Sequence, residues 1–145
     1  MDLRYAKDFS KNINRFKKNI MITLKTYSGQ TADFYIQNKG LNSGQPLKKP
    51  IRNCFAVTTD VPNAFEICYG LYRSSSYRSF IIGSVIPFIR KDDVLRIVDP
   101  AFKKTYDVKK LQAIGLIDQQ IELANKKIEK LKQLQRALAI QTINA

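Results

Sequence analysis

The sequence predicts an α+β protein, with a small mixed body over residues 1–106 followed by one long coiled-coil helix over 107–145. Three observations carry that reading. Short strand-like apolar runs, punctuated by Gly, Pro and Asn, alternate with amphipathic stretches through the first hundred residues. A seam of apolar residues at alternating steps of four and three fills the last forty. The apolar fraction of 44% supplies a core and argues against global disorder.

Residues 3–20 place Phe9, Ile13, Phe16 and Ile20 on one helical face, flanked by Lys7, Lys11, Arg15, Lys17 and Lys18. Such a helix either lies against phosphates as a basic arm or packs by its apolar face with its lysines in water. Ile20 to Tyr27 is expected as a strand, broken at Ser28-Gly29, and Asp33 to Gln37 as a second. A loop rich in Gly, Pro, amides and lysine then runs from Asn38 to Pro50. It lacks the spacing and the Gly-Lys-Ser/Thr ending of a nucleotide-binding loop. It is either a flexible loop able to bond base edges and phosphates or an ordinary surface connection.

Asn53 to Thr59 is expected as a strand, and Pro62 as the first residue of a helix that carries Ala64, Ile67, Cys68, Leu71 and Tyr72 to about Arg73. Ser74-Ser75-Ser76 ends it. Ile81 to Arg90 reads as two short strands bent at Gly83-Ser84, with Pro87 confining the second to an edge or bulge. Lys91-Asp92-Asp93 reads as a turn, and Val94 to Val98 as a last strand or short turn closed by Asp99-Pro100.

In the final helix the seam is Ile117, Ile121, Ala124, Ile128, Leu131 and Leu138, with Gln135 at the skipped position. Asp107 is placed to cap its start. A helix of this length spans about 50 Å, more than a body of this size covers. The seam therefore implies a partner helix, from this chain or another.

The formal net charge is +13, with a pI near 9.9. Lys and Arg outnumber Asp and Glu by ten to three in residues 1–50, eight to five in 51–106 and seven to four in 107–145. This balance points to a polyanionic partner, nucleic acid before an anionic membrane. The candidate phosphate contacts are Lys39, Lys48, Lys49, Arg52, Arg73, Arg78, Arg90 and Lys91. The candidate base readers are Asn42, Gln45 and Asn53, whose amides can pair with adenine. Tyr72 and Tyr77 pack either on sugar or on the core, and the core is the expectation.

Catalysis is not expected. With no His, the chain lacks Ser–His and Cys–His hydrolase chemistry and the HExxH zinc site. Cys54 and Cys68 are two thiols without a nearby base and too few ligands for structural zinc, so neither a metal nor a cofactor is expected. Asp60 and Glu66 suit a helix start, and Asp92-Asp93 diverge if extended. The charged start MDLRYAKDFSKN is unlike a secretory leader and no apolar run is long enough to span a bilayer, so a cytoplasmic protein is expected.

From about Asn53 onward the residues resemble a known family. The passage has a helix ending in Leu71-Tyr72-Arg73-Ser74-Ser75, then Gly83-Ser84-Val85-Ile86-Pro87-Phe88-Ile89, then Lys91-Asp92-Asp93-Val94. It looks like the closing half of a target-recognition domain in the DNA-specificity subunit of type I restriction–modification systems. The long helix, with Ile117-Asp118-Gln119-Gln120-Ile121 and then Ile128, Leu131 and Leu134, resembles that family's long helix. The resemblance covers about Asn53 to Ile143; the family's chains usually hold two recognition domains and two helices, and this one is similar to a single shortened half. It implies a non-catalytic DNA-binding half-subunit that pairs its helix with a second copy or another such chain, with a methylase subunit as a candidate partner. The alternative from a different class is an interaction module or decoy in a restriction or mobile-element assembly that does not touch DNA.

Overall fold

The computed structural model describes residues 21–145, and the helix expected over residues 3–20 lies outside them. The fold is α+β. Strands β1 (Ile22–Thr26), β2 (Phe34–Gln37), β3 (Pro46–Leu47) and β4 (Cys54–Thr59) form one antiparallel sheet in the order β1-β4-β2-β3. Helices α1 (Ala64–Arg73), α2 (Lys91–Phe102) and α3 (Val108–Ile143) follow. The chain divides into two compact units between Thr105 and Tyr106.

The sheet follows from period-two patterning in short β-branched and aromatic runs. On one face Val57 lies opposite both Leu24 and Phe34, and Phe55 lies opposite Ile36; all five are buried. On the other face Tyr35, Cys54 and Ala56 are buried, with Tyr27, Ala32 and Leu47 packed against them. Helix α1 approaches by the first face, where the Phe65 ring meets Phe34 edge-on at 5.7 Å.

Helix α1 starts later than the sequence suggests. Pro62 stays in the preceding turn, and Asn63, at φ 57°, is the N-cap. Asn tolerates this left-handed backbone better than most residues. The helix ends in a Schellman motif: Ser76 N–H donates to the Leu71 carbonyl and Ser75 N–H to that of Tyr72, with Ser75 itself at φ 60°.

Two expectations fail between residues 81 and 102. The paired strands of 81–90 reduce to one isolated bridge, in which Ile82 and Phe88 exchange bonds of 2.9 and 2.8 Å. Gly83, at φ 100°, folds the segment so tightly that a Cβ there would stand 2.6 Å from the Ile86 carbonyl oxygen. Residues 91–102 form helix α2, not a turn and a strand. The β-branched run Val94 to Val98 outweighs the helical spacing on a short view, but Val94, Val98, Ala101 and Phe102 make one buried stripe. Asp92 and Asp93 sit in the first turn, where negative charge favours a helix. Pro100 removes one bond near the end without stopping the last turn.

In the second unit, Asp107 caps α3, accepting from the N–H groups of Lys109 at 3.0 Å and Lys110 at 3.4 Å. Leu111 is its buried side chain, and Ile117, Ile121, Ile128, Leu131 and Leu138 are exposed. Glu122–Lys126 and Glu129–Lys132 ion pairs lie along it.

The Tyr77 ring packs closely against Gly44. A Cβ at Gly44 would stand 2.7 Å from Tyr77 Cδ2, and Gly44 is at φ 94°. Gly29 is at φ 99° with open space around it. Gly44→Ala is therefore expected to cost about 2–4 kcal/mol, because backbone strain and overpacking add. Gly29→Ala should cost about 1–2 kcal/mol from strain alone. Urea denaturation of both variants checks the difference.

Candidate nucleic-acid interface

The 38–50 loop is not a free polar loop. Asn38 N–H donates to the Asn53 carbonyl, Gly40 N–H to that of Pro87 at 2.7 Å, and Gly44 N–H to that of Gln37 at 2.7 Å. Gln37 N–H donates to the Gln45 carbonyl, and the Ser43 hydroxyl to the Gly40 carbonyl at 2.7 Å. The Asn38 carbonyl accepts from Ile89 N–H. The loop is thus fastened both to the sheet and to the segment at 87–89, and it holds the Leu41 and Asn42 side chains outward, both exposed.

Beside it, α1 presents an aromatic row. Phe65, Tyr69 and Tyr72 recur at steps of four and three, which places them on one face. Their ring centroids are 6.0 and 6.4 Å apart. Lys48 Nζ lies 5.4 Å over Phe65. The Arg73 guanidinium lies 5.6 Å over Tyr69 and 5.8 Å over Tyr72, and it donates to the Tyr69 hydroxyl at 3.4 Å. The Tyr72 hydroxyl donates to Asn42 Oδ1 at 3.4 Å. Cation–ring contacts of this kind are worth about 0.5–1 kcal/mol at exposed sites; their main effect here is to hold two charged heads beside the loop.

Of the residues singled out by sequence, the fold brings Asn42, Lys48 and Arg73 onto this one surface. Gln45 is half-buried and its backbone serves the loop. Lys39 is paired across the bridge with Phe88. Lys49, Arg52 and Asn53 are exposed in the β3–β4 connection, Arg78 begins a short 3-10 turn and Lys91 begins α2. Arg90 is engaged: its Nε lies 3.0 Å from the carboxylate of buried Asp93, which Arg96 also approaches at 4.0 Å. Sequence reading misses the platform of Phe65 and Tyr69. Its signal is the four–three spacing of aromatics beside the aliphatic stripe of α1.

Both thiols are free and buried, with Cys54 Sγ donating to the Ile51 carbonyl at 3.0 Å. Burial pushes both thiols up from their ordinary range, Cys68 strongly. Burial, and then the nearby Cys68 charge, does the same to the Tyr77 phenol, whose hydroxyl has no hydrogen-bond partner. Tyr77 is thus a core residue, as expected. Among the described residues no three His, Cys, Asp or Glu side chains come together to hold a metal ion, and no helix is long and apolar enough to cross a membrane.

A family model described as "Family of unknown function (DUF6943)" matches residues 23–141, so the chain belongs to that family. No curated protein and no solved structure matches the chain.

The buried thiols fix the sign of an alkaline response. Above the ordinary thiol value near 9.0, the unfolded chain releases protons that the folded chain retains, so stability falls as pH rises. For Cys68 the loss approaches about 1.4 kcal/mol per pH unit. Urea midpoints at pH 7.5, 9.5 and 10.5 should decline, and Cys68→Ala should decline less steeply from its lower start.

Proposed function

We propose that this member of a family without an assigned activity is a non-catalytic DNA-binding module. It docks on duplex DNA through the surface of Asn42, Lys48 and Arg73 and pairs through α3. The observation that carries the reading is the aromatic row of α1, which fixes two cations beside a loop whose amide tip is held outward. Cations placed on a stiff frame meet phosphates at small ordering cost. Lys49, Arg52 and Arg78 extend the positive charge, and the net charge of +13 supports long-range attraction to a polyanion. A cytoplasmic location belongs to the same proposal.

The likeness to restriction–modification specificity subunits gives the proposal its narrower form. One body and one helix act as half a subunit, and a methylase subunit is the candidate enzyme partner. Helix α2 begins where that likeness expects an acidic turn, and the strand expected before it is a single Ile82–Phe88 bridge. The narrower form therefore rests on the order of the flanking elements and on the seam of α3. The exposed Ile and Leu side chains of α3 serve both this reading and a second, an interaction module that joins an assembly without touching DNA.

Binding to a random duplex library at two salt concentrations, with the bound fraction sequenced, separates these readings. Salt-dependent binding is expected, and enrichment of a short motif supports the narrower form. In Lys48→Ala with Arg73→Ala, the slope of log affinity against log salt should fall by about 2 and affinity should weaken. An unchanged slope removes this surface from the interface. No binding at low salt leaves the interaction module.

A further inference from the structure

We infer that α3 is one half of a two-stranded antiparallel coiled coil whose other half is α3 of a second copy of this chain. The inference deepens the pairing half of the proposed function. In heptad lettering Ile114, Ile121, Ile128 and Gln135 take position a, and Ile117, Ala124, Leu131 and Leu138 take d. Within one chain the seam stays open: exposure runs from 44% at Ile121 to 60% at Ile117, with Leu131 and Leu138 between them. Covering these residues together with Ile128 and Leu134 on two copies removes on the order of 1,000 Å² from water, the lower range for a specific interface.

The side chains choose the direction. If two copies ran parallel and in register, Ala124 would face Ala124 and leave a thin layer. Gln135 would face Gln135, and Lys127 at g would meet Lys132 at e of the other copy, twice. Like charges so placed destabilise the pair. In the antiparallel alignment Ile128 stacks on the second copy's Leu131, and Ile121 on its Leu138. The long Gln135 lies across the small Ala124. Lys127 now lies beside the second copy's Leu134, whose exposed side chain its methylene stem can cover. Lys132 lies beside Asn125. This alignment leaves no like-charge pair among these flanking positions, and it matches a large side chain to the small one.

Sedimentation of the full chain is expected to give twice the 16.7 kDa chain mass. Leu131→Lys, at an exposed position, should halve that mass with the helix content of the monomer retained. The double variant Ala124→Cys with Gln135→Cys should form covalent dimers on mild oxidation, since positions eleven residues apart on one helix cannot reach each other. Ala124→Cys alone should not. A monomeric wild type, or covalent dimers from Ala124→Cys alone, would overturn the inference. DNA binding is measured separately: a monomer that binds DNA sinks the pairing alone, and a dimer that binds none sinks the DNA reading alone.

Discussion

Everything in the first unit depends on β4 entering the sheet between β1 and β2. The strand pairs Thr59 with Ile22 on one side and Val57 with Phe34 on the other. These pairs close long loops, so their entropic cost falls before any reward. The reward is that Cys54 to Val57 are buried on both faces at once. The four residues between β4 and α1 leave that helix little freedom of approach. The position of β4 therefore sets where Phe65, Tyr69 and Tyr72 line up, and so where Lys48 and Arg73 find their rings.

Strands β1, β2 and β4 were legible because each carries its own period-two signal, and the long helix because its seam repeats over many turns and Asp107 marks its start; β3, two residues beginning with Pro46 inside the expected loop, is too short to carry such a signal. Helix α2 was hidden by a conflict of local signals. Val94, Ile97 and Val98 favour a strand, and Asp99-Pro100 looks like a stop; only burial shows that the stripe through Phe102 wins. The late start of α1 was hidden because Pro62 suits a first helical turn equally well. The stiffness of the 38–50 loop was not legible at all. Its partners Asn53, Pro87 and Ile89 lie far along the chain, and composition alone makes the segment look free.

Of the candidate surface, the sequence supplied the cations but not their grouping. Charge is visible in a sequence, whereas engagement is not. Arg90 looks as available as Lys91 until Asp93 is seen buried beneath it. Arg73 looks like a helix-terminal charge until its two rings are seen. A basic residue is counted as available only after its neighbours are known, and for a chain of this charge that distinction removes more candidates than it adds.

The fastening of the 38–45 loop divides its residues into two kinds. Gly40, Ser43 and Gly44 are held by bonds and by the Tyr77 ring, and a change at any of them is felt by the sheet and by the 87–89 segment together. The Leu41 side chain stands outside that frame, and that of Asn42 is tied to it through the Tyr72 hydroxyl. A substitution at Leu41 therefore changes the tip while the mount stays, much as a tool changes its bit. What that tip presents to its surroundings can then drift without the fold having to be relearned.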